Sequence, residues 1–137
     1  MKVFEIINAY NLLSEAKINS LNIEDVKKVL SFRKAARPVV EDFEKFRQDA
    51  EESLRPDNFN ELVELEKLGD KRTEEQTAIY VDAVRAYRSS INEALDAEWN
   101  KEITANFDKL SEGALPLLIK ANDWPLAELE KLEFLLG

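Results

Sequence analysis

Val29, Phe32, Ala36, Val39, Phe43, Phe46 and Ala50 follow one another in alternating steps of three and four residues. This is the 3.5-residue repeat of a helix with one long buried seam. Val26 and Val40 widen the stripe on one flank, which suits a helix packed in a bundle better than a bare two-stranded zipper. The pattern predicts one helix over residues 23–54, about 45 Å long at 1.5 Å per residue. Asn22 stands at its N-cap, and Glu24 and Asp25 occupy the first turn, where negative charge meets the positive end of the helix dipole. Arg55-Pro56-Asp57 ends it, because the residue before a proline avoids helical backbone.

Pro38 interrupts this pattern without shifting its phase. Its ring clashes with the carbonyl of Lys34 and it has no N–H to donate, so a bend is expected there. With Ala36 and Val39 on the seam, Pro38 faces solvent, and a bend on that side lets both halves of the helix follow one core.

A second seam runs through Tyr80, Val84, Tyr87, Ile91 and Ala94, again in steps of four and three. It predicts a helix over 74–99, opened by the capping box Thr73/Gln76. Two long seams joined by an excursion of some twenty residues predict an antiparallel helical hairpin whose aromatic side chains bury one another. Within the excursion, Asn58 and Glu61 resemble another capping box, Leu62, Leu65 and Leu68 form a short apolar stripe, and Gly69 stands at a helix C-terminus, so a helix is placed at 58–68. Before the hairpin, Val3, Ile6, Ile7, Tyr10 and Leu13 give one buried helical face over 2–15.

After Trp99 the period changes. Ile103, Ala105 and Phe107 alternate with polar residues, so 102–108 reads equally as a short edge strand or a frayed helix end. A turn at Ser111–Pro116 leads into a short helix at 114–121. Asp123 is placed as the cap of a terminal helix with Pro125 in its first turn, buried through Leu126, Leu129, Leu132 and Leu136. Trp124 packs beside that cap. The fold class expected is mainly α: a long-helix hairpin with short N- and C-terminal helices, in one domain of 137 residues.

Composition narrows the chemistry. There is no cysteine and no histidine. Disulfides, thiolate metal sites, Cys nucleophiles, Ser-His catalysis and the HExxH and ExxH metal motifs are therefore excluded. The net charge is −9 and the pI near 4.7, which argues against duplex nucleic acid or an anionic membrane as the main partner. Glu5 and Asn8 interrupt the apolar start of the chain, a poor signal peptide, and no apolar run is long enough to span a bilayer. A soluble, cytoplasmic protein is expected.

Three stretches resemble small uncharacterised proteins encoded by phages and prophages. These are the opening VFEIINAYNLLSEAKI, the long charged helix EDVKKVLSFRKAARPVVEDFEKFRQD, and the closing PLAELEKLEFLLG after EITANFDKL. The resemblance spans roughly residues 3–54 and 90–137. It implies an assembly or tail-region role with no catalytic residues and no cofactor.

Two constellations compete for a function. Glu61-x-x-Glu64 and Glu93-x-x-Asp96 match in spacing the paired carboxylates with which all-α nucleotide pyrophosphohydrolases hold magnesium, a chemistry that needs neither His nor Cys. Nineteen glutamates produce such pairs by chance, however, as Glu41/Glu44 and Glu130/Glu133 illustrate. Metal-holding carboxylates must also project inward from facing helices, whereas Glu93 and Asp96 fall toward the polar side. The second constellation is the basic cluster Lys27, Lys28, Arg33, Lys34 and Arg37. Arg33, Lys34 and Arg37 are the candidate partner-binding residues, since Arg33 and Arg37 share one helical face and can grip an anionic group. Weighed together, these features favour a non-enzymatic interaction or assembly protein that binds a protein partner or itself.

Overall fold

The computed structural model describes residues 1–136. Its elements are helices α1 (Val3–Ser14), α2 (Ile23–Ser53), α3 (Phe59–Leu68), α4 (Glu74–Trp99), α5 (Ala114–Asn122) and α6 (Leu126–Glu130), with 3-10 turns at Gly69–Lys71 and Glu133–Leu135. The protein is mainly α, and the long helices α2 and α4 pack on each other. Phe43 lies against Trp99 and Tyr87 reaches Glu51, so the two helices run antiparallel. The chain divides into two compact units. Unit 1 comprises Met1–Phe43 and the chain from Trp99 onward; unit 2 is Glu44–Glu98.

Local signals that depend on neighbouring backbone hold well. The side chain of Asn22 accepts the N–H of Asp25 at 2.8 Å, capping α2. Thr73 and Gln76 form the reciprocal capping box of α4, at 2.9 and 3.1 Å. Gly69 ends α3 with φ +52° and ψ −124°, a positive-φ backbone that residues with a Cβ rarely adopt. α2 runs unbroken through Pro38, which is exposed; the Lys34 carbonyl, which loses its helical donor, lies on the same exposed face.

The core of unit 1 gathers Ile6, Ala9 and Leu13 of α1, Val29, Phe32 and Ala36 of α2, Leu110, Ala114 and Leu118 around α5, and Leu132 and Leu135 near the end. Phe32 is its centre, edge-on to Phe107 at 4.8 Å and tilted against Phe134 at 5.8 Å. Residues 102–108 form neither a strand nor a helix end. They run extended between two isolated bridges, Lys2 with Glu102 and Leu110 with Leu136. Ile103, Ala105 and Phe107 nevertheless turn inward and the polar residues between them outward, as the period of two requires.

A buried carboxylate closes this unit. Asp25, 2 % exposed, accepts hydrogen bonds from the Ser111 amide at 2.9 Å and from the Ser111 hydroxyl, joining the first turn of α2 to the loop before α5. Burial raises its pKa; the Ser111 donors, the charge of Lys28 and the Asn22 side chain more than offset that, and the net shift is downward.

Four expectations are corrected. Asn58 and Glu61 form no capping box, because the side chain of Asn58 makes no cap hydrogen bond. Asp123 closes α5 in the left-handed conformation, φ 54° and ψ 45°, instead of opening α6, whose N-cap is Pro125. α6 is a single short turn, and Leu126 is 72 % exposed, so the buried side of the terminal segment begins at Leu129. The seams do not bury one another's aromatic rings fully: α2 is buried at Val29, Phe32 and Ala36 but only half-buried from Val39 to Ala50. Among the described residues α4 has no buried side chain at all.

Replacing Pro38 with Ala restores a backbone donor at an exposed site and is expected to stabilise the protein by about 1–3 kcal/mol in urea unfolding. Loss of folding in P38A would show that one continuous helix through residue 38 is not what the protein needs. Asp25→Asn removes charge-assisted hydrogen bonds and should cost about 2 kcal/mol at pH 7. Because the folded pKa of Asp25 is depressed, its stabilisation is complete above the unfolded value near 3.8 and is lost as pH falls through the lower folded value. The D25N penalty, measured by urea titration, should accordingly shrink below pH 4.

Candidate functional site

Among the described residues, no three carboxylates gather as a group able to hold a metal ion. Glu61 and Glu64 lie exposed on α3, where Glu64 pairs with Lys67 at 3.2 Å. Glu93 and Asp96 lie exposed on α4.

The basic cluster is dispersed by its own neighbours. Lys27 pairs with Glu24 at 3.8 Å, and Lys28 donates to the Lys109 carbonyl at 2.9 Å. Arg37 hydrogen-bonds the Tyr10 hydroxyl on α1; this bond is the main reason the phenol lies below its ordinary pKa, against the opposing effect of burial. The Arg33 Nε is buried, with no hydrogen-bond partner among the described residues, and Lys34 is exposed. Of the three partner-binding candidates, Lys34 and Arg37 are exposed and Arg33 is half-buried, and Arg37 also bonds α1 through Tyr10.

A concavity lies in unit 2, lined in part by Tyr80 and Tyr87, which the sequence reads as core. A groove of about 350 Å³ runs between α3 and α4, near the lower end of the range for ligand and anchor sites. Its walls include Phe59, Leu62 and Val63 from α3 and Tyr80, Val84, Tyr87 and Ile91 from α4, with Glu51, Glu66 and Arg88 at the edges. The α4 residues are those of the predicted seam. Their spacing was visible; that α3 covers only one side of them was not.

Several contacts shape this groove. α2 ends at Ser53, so its last carbonyls lack helical partners. The Tyr87 hydroxyl donates to one of them, the Glu51 carbonyl. Phe59 lies 6.2 Å from the Tyr87 ring, under the Arg55 guanidinium at 4.6 Å. Arg72 sits 4.3 Å over Tyr80 and also donates to the Gly69 carbonyl. Arg47 forks between Glu44 and Glu51, which raises its pKa further and holds Glu44 below the ordinary carboxylate range. The aromatic residues of the groove are thus held by a hydrogen bond and cations from their own unit, with Glu66 and Arg88 as its exposed lining residues. Ile79 and Val81, 43 % and 41 % exposed, extend apolar surface along α4.

No protein family, characterised protein or solved structure matches this chain.

Tyr87→Phe keeps the ring against Phe59 but removes the donor to the Glu51 carbonyl. A loss of about 1 kcal/mol is expected in chemical denaturation; unchanged stability would mean that water replaces the hydroxyl at no cost.

Proposed function

We propose that this is a non-enzymatic interaction or assembly protein of phage or prophage origin, acting through the surfaces of its helical hairpin. The observation that supports this most is the groove of unit 2. A helix of 26 residues carries an aromatic and aliphatic seam, yet among the described residues none of it is buried. Apolar surface of that kind, concave and edged with charge, suits docking to another macromolecule. The resemblance in the first helix, the long charged helix and the closing segment supports the assembly role. Cytoplasmic localisation belongs to the same reading; among the described residues no helix is long and apolar enough to cross a membrane.

The competing chemistry is magnesium-dependent hydrolysis of nucleotides through Glu61, Glu64, Glu93 and Asp96. Nucleoside triphosphates and diphosphates incubated with the protein, with and without magnesium, should release no phosphate or pyrophosphate above background. Magnesium-dependent turnover that disappears in E61A/E64A or E93A/D96A would overturn the interaction reading. Phage head, tail or packaging genes beside the coding sequence are the expected genomic setting.

A further inference from the structure

Unit 2 has a thin core. Among the described residues Leu62 and Leu65 are its buried side chains, and α4 buries nothing along 26 residues. A unit this small with so little burial is usually completed by a disulfide, a metal or association with another chain. The chain has no cysteine, and no carboxylate cluster able to hold a metal gathers among the described residues, so association remains. The charges of the α3–α4 groove say with what. Glu51 is taken by Arg47, and Arg55 and Arg72 lie over the Phe59 and Tyr80 rings. The lining keeps one further anion, Glu66 on α3, and one cation, Arg88 on α4. Both are exposed, and neither side chain has an ion-pair partner among the described residues.

We infer that this groove is the contact between two copies of the chain, related by a two-fold axis that sets α3 of each copy against α4 of the other. The inference rests on the interaction reading above and names the partner. A groove with opposite signs on its two helices is complementary to itself. Under a two-fold, each Glu66 meets the partner's Arg88, and both pairs form at once. A partner of one uniform sign would satisfy one of these charges and oppose the other. The area to be buried is apolar: Tyr80, Val84, Tyr87 and Ile91 are only half-buried, and Leu68, Ile79 and Val81 are exposed. Unit 2 as a whole carries fifteen acidic and eight basic side chains, a net charge of −7, which opposes pairing at long range. Beyond about 8 Å that repulsion is screened at physiological salt, so the groove's own residues decide the contact.

Light scattering and sedimentation of the full chain at physiological salt should show a dimer that dissociates on dilution. Glu66→Arg and Arg88→Glu should each raise its dissociation constant about tenfold, because each sets like charges at both contacts. An equimolar mixture of the two variants should recover the original affinity, since each altered charge then finds its opposite in the other copy. E66R also lowers the net negative charge of the chain. Repulsion between whole units would therefore make it associate more tightly, whereas the groove contact requires the reverse. Val84→Asn should weaken the dimer, and Glu130→Arg, a matching charge change at an exposed position of unit 1, should leave it unaltered. All four positions are at least partly exposed, and circular dichroism verifies that each variant is folded. A chain that stays monomeric up to about 1 mM, a dimer indifferent to E66R and R88E, or a mixture that does not recover overturns the inference. In each case the interaction reading stands, through another contact or partner. That reading fails separately, on nucleotide turnover.

Discussion

The Asp25 carboxylate, buried at the first turn of α2 and held by Ser111, is the constraint on which unit 1 depends. A buried charge is tolerated only where donors replace its water. Here the Ser111 amide and hydroxyl supply them, the end of α2 adds its dipole, and Asn22 takes up the amide of Asp25 itself. The tie joins residues 86 positions apart. It sets the loop from which α5 starts, and so places Ala114 and Leu118 in the core with Val29 and Phe32. Phe107 and Phe134 reach Phe32 from extended and 3-10 backbone. The closure at Asp25 acts together with the backbone bonds Ile103 to Met1 and Leu110 to Leu135 in holding those segments in register.

Burial along α2 is uneven, and this difference separates scaffold from surface. At Val29, Phe32 and Ala36 the helix meets a complete core; at Phe43, Phe46 and Ala50 the same spacing meets partial cover. Unit 2 draws its buried side chains from α3 alone among the described residues, Leu62 and Leu65. A unit with so little buried apolar area opens locally more readily than a full core. Surfaces that must accept a partner tend to come from such regions, where apolar side chains are available at low cost.

Charge is used in a consistent way across the chain. Several cations take partners within the chain: Arg37 the Tyr10 hydroxyl, Arg47 two glutamates, Arg55 and Arg72 aromatic faces, Lys28 a carbonyl of the extended segment. The acidic excess is left on the exterior. The sign change across Pro38, with Arg33, Lys34 and Arg37 before it and Glu41, Asp42 and Glu44 after, coincides with contacts inside the chain. Arg37 docks a helix and Glu44 holds Arg47.

Where a signal was local, the sequence by itself determined the outcome. The limits of α1 to α5, the Asn22 and Thr73/Gln76 caps, the Gly69 terminus, the solvent-facing Pro38 and the inward alternation of Ile103, Ala105 and Phe107 follow from helix period, cap chemistry and backbone sterics within a few residues. The antiparallel hairpin was legible too, because two seams joined by a short excursion can pair in few ways. Only the tertiary structure decided how deeply each seam was buried, since a heptad repeat records which side is apolar and not how much protein covers it. For the same reason the α3–α4 groove was invisible: its residues read as core. The role of Asp25 depended on Ser111, 86 positions away, and whether Asp123 would close α5 or open α6 depended on the backbone around it. Such outcomes are set by which distant segments meet, and no local period carries that information.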